Sequence, residues 1–263
     1  MIKAIFFDID GTLVSFKTHR IPQSTIDAIV QAKMQGIKIY ISTGRPFLLI
    51  DNISPIKHLV DGYITANGAY CFVKDEVISC LSIPEEDVRS VIRFADEKDF
   101  ACMIVGEKDL VMYRNNACAE NIFCKMLNVR NLQTNVSVET ILRQRILQLT
   151  PVISKTEEEL LMPLLSGCES SRWYPKFADI TAKNVNKGKG LQVIAAHQGI
   201  KIEETMALGD GGNDIPIIEQ AGIGVAMGNA NDSLKVIADY VTDSVDDDGV
   251  YNALNYWIFK SNV

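Results

Sequence analysis

The sequence predicts a doubly wound α/β domain with a parallel sheet, interrupted by an inserted α+β domain. Two observations carry the prediction. At both ends of the chain, short and nearly continuous apolar runs alternate with helical patterns, as in strand-helix units of a parallel sheet. Each polar loop rich in Asp, Gly or Thr comes directly after one of those runs, where open α/β sheets bind their ligands.

Residues 2–7, Ile-Lys-Ala-Ile-Phe-Phe, form the first run and stop at Asp8, which suits a strand buried on both faces. A helix follows over residues 22–34, with Ile26, Ile29 and Val30 at helical spacing and Gly36 as its stop. Residues 37–41 read as a second strand ending at Ser42-Thr43-Gly44-Arg45-Pro46, a turn expected to lead into a helix. A third strand near Tyr63-Ile64 reaches Asn67-Gly68. The alternation returns with a helix over 188–197, a strand over 205–208, a polar loop over 209–214 and a strand over 223–227.

Between them the pattern changes. A helix starts near Pro84, strand-like runs occupy 101–105 and 110–113, and a helix spans 118–127. Then come a strand over 146–149, a helix over 156–165 and strands over 171–174 and 177–180. These elements define an expected insert of residues 83–179 in a core of residues 1–82 and 180–263.

Composition narrows the function classes. With 33 acidic against 26 basic residues the formal charge is -7, the wrong sign for a nucleic-acid or anionic-membrane partner. No apolar run reaches the roughly 18 residues of a spanning helix, and the N-terminus does not follow the order of a secretory leader. The expectation is a cytoplasmic protein with a small-molecule partner; the oligomeric state is not legible. Cys71, Cys80, Cys102, Cys118, Cys124 and Cys168 lack metal-site spacing and read as reduced, mostly packed thiols. His19, His58 and His197 are scattered, and His197 closes a helical pattern just before Gly199. Nothing suggests a Ser-His-Asp arrangement.

Chemistry concentrates at the strand ends. In Asp8-Ile9-Asp10-Gly11-Thr12 the two carboxylates are two residues apart on extended backbone and face the same side. One can attack phosphorus and form an acyl phosphate, while the other protonates the leaving alkoxide and then deprotonates the attacking water. Such a pair can also merely cap a turn. The second acidic loop, Gly209-Asp210-Gly211-Gly212-Asn213-Asp214, bears on that choice. If its strand neighbours the first, four carboxylates converge, and each pair about 4 Å apart repels by roughly 4 kcal/mol at an effective dielectric near 20. Such a cluster needs a cation, and oxygen-only donors without His or Cys point to Mg²⁺. Taken alone, this loop too can be a turn and helix cap. Thr43-Gly44, at an expected helix start, offers a hydroxyl and N–H groups to phosphate oxygens, or simply a cap. Lys187, in Asn186-Lys187-Gly188-Lys189-Gly190, is either solvated or a fixed charge offsetting nucleophile and phosphate.

The stations DIDGT, STGR, NKGKG and GDGGND, in this order, resemble the four motifs of the haloacid dehalogenase superfamily of phosphohydrolases. An insert between the second and third resembles the cap of the Cof-type subfamily. The resemblance implies a Rossmann-like core and a substrate-selecting cap. It also implies Asp8 as nucleophile and metal ligand, and Asp10 as acid/base lending its backbone carbonyl to the metal. Asp210 is then the second metal carboxylate and Asp214 its outer support. Thr43, Gly44, Lys187, Asn213 and the backbone N–H of Ile9 correspond to phosphate contacts. Asp10 sets the pattern apart from the superfamily's dehalogenases and ATP-driven pumps. With Arg172-Trp173-Tyr174-Pro175 the chain resembles bacterial hexose-phosphate phosphatases of that subfamily, with Arg45, Asn67 and Arg172 as candidate leaving-group contacts. A phosphotransferase or mutase using the same acyl phosphate, and a phospho-ligand sensor without turnover, remain alternatives.

Overall fold

The structure is a computed structural model that describes residues 1–126 and 136–259, the side chain of Trp173 apart. The chain divides into two compact units, one of residues 1–45, 50–79 and 186–263, the other of residues 46–49 and 80–185.

The first unit is built on an eight-stranded sheet. In chain order its elements are β1 (Ala4–Phe7), α1 (Gln23–Met34), β2 (Lys38–Ser42), β3 (Gly62–Thr65), β4 (Tyr70–Val73) and β5 (Glu76–Cys80). The strand order is β13-β12-β11-β1-β2-β3-β4-β5, the later strands being given below. β1 pairs in parallel with β2 on one side and β11 on the other, and β2 with β3. The chain thus winds outward from β1 in one direction and returns to wind in the other, which makes the gap between β1 and β11 the topological switch point. All four residues of β1 are fully buried, as the continuous apolar run requires. The predicted α/β class with a parallel core is what the protein has.

The second unit holds α2 (Glu85–Lys98), β6 (Cys102–Gly106), β7 (Leu110–Tyr113), α3 (Ala117–Glu120), α4 (Val138–Ile141), β8 (Ile146–Pro151), α5 (Lys155–Leu161), β9 (Cys168–Tyr174) and β10 (Phe177–Ala182). Its five strands form an antiparallel sheet in the order β7-β6-β8-β10-β9. One apolar cluster joins Val88, Val91 and Phe94 of α2 to Ile104, Leu149 and Ile180 of the sheet. A second joins Ala119, Ile122 and Phe123 to Met103, Val105 and Phe177, with Leu49 among them. That contact explains why residues 46–49 go with this unit. Residues 180–185, expected in the core, also belong here, because β10 continues to Ala182 and pairs with β9 through Thr181 and Ala182.

The chain then returns with α6 (Lys187–His197), β11 (Thr205–Gly209), α7 (Ile215–Gln220), β12 (Ile223–Ala226), α8 (Asp232–Ile237), β13 (Tyr240–Val241) and α9 (Gly249–Leu254). α8, β13 and α9 are too short for their periodicity to rise above the surrounding sequence, as is the β4 strand paired antiparallel to β3.

Three expected helices differ. After Thr43-Gly44 there is no α-helix before β3, only 3₁₀ turns at Phe47–Leu49 and Lys57–Leu59; Pro46 disfavours helical backbone at Arg45, and Pro55 follows nine residues later. The helix over 156–165 ends at Leu161 and tightens into a 3₁₀ turn at Met162–Leu164, where Pro163 has no N–H to donate. The helix over 118–127 is α3 widening into a π turn at Asn121–Met126; Leu127 lies outside the described residues. Among the described residues, no helix is long and apolar enough to cross a membrane.

Candidate active site

Parallel pairing brings the polar loops to one end of the sheet. Phe7 is in register with Leu208 and with Ile41, and the Asp8 N–H donates to the Leu208 carbonyl at 3.0 Å. The residues after β1, β2 and β11 are therefore Asp8, Thr43 and Asp210, side by side at the switch point.

Asp8, Asp210 and Asp214 each offer a carboxylate oxygen within 4.8 Å of the others. Lys187, fully buried at the start of α6, donates from Nζ to Asp8 Oδ1 at 2.7 Å and to Asp214 Oδ1 at 2.5 Å. Asp214 is further held by its Oδ2, which accepts from the N–H groups of Asp210 and Gly211 at 3.0 and 2.9 Å. Both of its oxygens thus accept hydrogen bonds from the protein. Three carboxylates against one ammonium leave two negative charges when all are ionised. The strain shows in proton affinity. Burial pushes Asp8 up to about 7 despite the opposing pull of Lys187, with Asp214 and Asp10 adding to the rise. Burial and then the charge of Asp8 push Asp210 up to about 8. Burial alone would lower Lys187, but the charges of Asp214 and Asp8 outweigh it and raise it. An all-oxygen site short of two positive charges fits a hard divalent cation such as Mg²⁺.

Gly11 shows how tightly the first and last loops meet. Its φ is +90°, and a Cβ there would lie 2.1 Å from Asp210 Oδ2. A side chain is excluded on both counts.

Asp10 and Arg45 form a second station. Arg45 Nε donates to Asp10 Oδ2 at 2.6 Å and Nη2 to Oδ1 at 2.8 Å, a bidentate pair. Asn52 Nδ2 reaches the same Oδ1 at 3.4 Å. Arg45, expected at the leaving group, is engaged with Asp10 in this arrangement.

The loop after β2 is braced by the turn after β3. Ala66 and Asn67 donate their N–H groups to the carbonyls of Arg45 and Thr43 at 3.0 and 3.1 Å. Ala66, Asn67 and Gly68 all have positive φ, +48°, +55° and +108°. At Gly68 a Cβ would meet the Asn186 carbonyl oxygen at 2.4 Å, so this turn also touches the start of α6. Asn67, the second expected leaving-group contact, is buried and accepts from Asn213 Nδ2 at 3.1 Å. A Cβ on Gly44 would lie 3.1 Å from Asn67 Oδ1 and 3.3 Å from Asn213 Nδ2. Thr43, Gly44, Asn67 and Asn213 are therefore neighbours.

Arg172 is placed elsewhere. In the inserted unit its Nε donates to the buried Glu158 at 2.6 Å, and Nη1 donates to the Ile153 and Pro175 carbonyls at 3.1 and 2.8 Å. Glu158 also accepts from Ser170 at 2.5 Å. The guanidinium knits its own hairpin, and the expectation of a leaving-group contact gains nothing from this geometry. Among the six cysteines, all free, Cys71, Cys102 and Cys168 are buried, but Cys118 and Cys124 are exposed. His197 ends α6 and stands 3.5 Å from Glu76.

Two contributors escaped the sequence reading. Asn52 lies in an irregular stretch without periodicity. Asn229 follows β12 in a Met227-Gly228-Asn229-Ala230 turn, and its signal was available: it too sits just beyond the carboxyl end of a parallel strand.

The family of haloacid dehalogenase-like hydrolases matches residues 5–254. YkrA of Bacillus subtilis (strain 168), named as a candidate phosphatase, is 30% identical over 256 residues covering 96% of this chain and 96% of YkrA. Among solved structures, the subclass IIB sugar phosphatase BT4131 superposes with a TM-score of 0.90 at 48% identity, over 97% of this chain and 98% of that one. BT1666 from Bacteroides thetaiotaomicron, described among phosphatases of this superfamily, gives 0.87 at 40% identity over 97% and 95% of the two chains.

Proposed function

The chain belongs to the haloacid dehalogenase-like hydrolases, and from that premise we propose that it is a Mg²⁺-dependent phosphatase of small phosphomonoesters, hexose phosphates in particular. One observation carries the reading: Asp8, Asp210 and Asp214 meet at the switch point of the sheet, with Lys187 bound to Asp8 and Asp214. The 48% identity to a sugar phosphatase supports the substrate class.

In this reading Asp8 attacks phosphorus, the bond to the ester oxygen breaks, and Asp10 gives its proton to the departing alkoxide. Asp10 then takes a proton from the water that attacks phospho-Asp8, releasing phosphate and restoring the carboxylate. Lys187 holds Asp8 in place and offsets the charge of the phosphoryl group. Thr43, Gly44, Asn213 and the N–H of Ile9 hold its oxygens. The cation would be held by Asp8, Asp210 and the Asp10 carbonyl, with Asp214 ordering the loop. When bound, Mg²⁺ supplies neutralising charge to the carboxylates and the phosphoryl oxygens. The inserted unit selects the leaving group. The cytoplasm, expected from the sequence, suits six free cysteines.

A panel of phosphate esters tests the proposal. Inorganic phosphate should appear from hexose phosphates without a phosphorylated acceptor, stop on chelation and resume with Mg²⁺. Binding without turnover across the panel would mark a sensor, and transfer to an added alcohol a phosphotransferase.

Stability should report the cation independently. Asp8 and Asp210 bind protons more tightly folded, near 7 and 8, than at their ordinary 3.8. Their contribution to stability is therefore greatest at low pH and is lost as pH rises from about 4 through 8. A divalent cation competes for the ionised carboxylates, so the rise in melting temperature on adding Mg²⁺ should be larger near pH 8 than near pH 5. A shift independent of pH would place the cation elsewhere.

The Arg45 clamp yields another expectation. If Arg45 serves by orienting Asp10, Arg45→Ala should lower kcat about 10- to 100-fold with little change in KM, yet lower it less than about 3-fold in an Asp10→Asn background. Equal losses in both backgrounds would separate Arg45 from Asp10.

A further inference from the structure

The Asp210 carboxylate is pressed by like charges from Asp8 and Asp214, whereas Lys187 Nζ is engaged by the other two. Asn229 donates to that carboxylate from Nδ2, to Asp210 Oδ2 at 3.3 Å. The same Nδ2 donates to the Gly11 carbonyl at 2.8 Å. At its other end, Asn229 Oδ1 accepts from the Val245 N–H at 2.9 Å. The amide cannot be turned over without facing oxygen to the Gly11 carbonyl and NH₂ to the Val245 N–H, so both ends set its orientation. One side chain thus ties together the loops after β1, β11 and β13.

The tie falls where it matters for a cation. Gly11 is the residue after Asp10, and its backbone lies against Asp210 Oδ2. The loop bearing Asn229 is itself anchored to the β11 end, with the Met227 N–H on the Gly209 carbonyl and the Asn231 N–H on the Asp210 carbonyl, at 3.0 and 3.2 Å. A carboxylate repelled by its neighbours is thus met from a loop that is itself hydrogen-bonded to the end of β11.

We propose that Asn229 is a positioning residue of the metal site, holding the Asp210 carboxylate and the Gly11 peptide in the arrangement that receives the divalent cation. The inference rests on the reading of Asp210 as a metal ligand. Partners of this kind orient ligands, and their loss typically weakens metal binding about 10- to 100-fold. Asn229 is exposed, so truncating it leaves no cavity in the core.

The test is the affinity of the whole protein for Mn²⁺, read from the free-ion paramagnetic resonance signal, in parent, Asn229→Ala and Asn231→Ala. The last variant loosens the same loop, since Asn231 Oδ1 caps α8 through the Leu234 N–H at 3.0 Å, but spares the Asp210 side chain. Asn229→Ala should weaken Mn²⁺ binding about 10-fold or more, and Asn231→Ala less than about 3-fold. An Asn229→Ala affinity equal to the parent's overturns the inference, as does an equal loss in both variants. A parent protein that does not bind Mn²⁺ fails one level earlier and removes the metal-site reading with it.

Discussion

Asp8→Asn is expected to abolish phosphate release, by about 10⁴-fold or more in kcat, while the protein stays folded. The amide matches the carboxylate in shape but is not a nucleophile toward phosphorus, and among the described residues the neighbouring carboxylates are otherwise committed, Asp210 to the proposed cation. Asp214 is engaged at both oxygens, and Asp10 is clamped by Arg45. The fold should survive because Lys187 keeps its 2.5 Å partner Asp214, and because losing one of three crowded carboxylates relieves repulsion at a buried site. Initial rates on a hexose phosphate, beside circular dichroism and a melting curve, decide the matter. Near-normal turnover in a folded Asp8→Asn protein would end the nucleophile assignment.

What the sequence disclosed follows from where its constraints are local. The β1 run is apolar because both faces of a parallel strand are covered, so its end at Asp8 could be read directly. Placing Asp8 beside Asp210 required only that β1 and β11 be neighbours, which doubly wound topology makes the natural outcome. The partners of the charged side chains were another matter. Arg45 lies one residue past Gly44, and nothing in that spacing says whether the guanidinium turns to a substrate or to Asp10. The bidentate pair is decided by a turn at Pro46 that is braced from Ala66, twenty residues later in the chain. Arg172 is similar: its acceptors are carbonyls at Ile153 and Pro175 together with Glu158, brought together only when α5 docks on the hairpin of β9 and β10. Asn229 shares with the polar loops a place just beyond a parallel strand, which marks it as a candidate, but the acceptors its amide meets are set by the loops after β1 and β11.

Lys187→Met should do the largest damage to stability. The ammonium is fully buried and is the charge that Asp8 and Asp214 share. Removing it leaves three carboxylates within 4.8 Å of one another, and breaking a buried pair on one side typically costs about 3–5 kcal/mol. Since Asp8 and Asp210 already hold protons up to about 7 and 8, they can escape part of that cost by staying neutral. The loss in unfolding free energy, measured with urea, should therefore be smaller near pH 5 than near pH 8. Two additions should restore stability for the same electrostatic reason: Mg²⁺ at high concentration, and the further changes Asp8→Asn and Asp214→Asn, which remove the charge the lysine offset. A Lys187→Met protein as stable as its parent at alkaline pH would mean that the acidic loops do not meet around this side chain, and the phosphatase reading would lose the geometry it depends on.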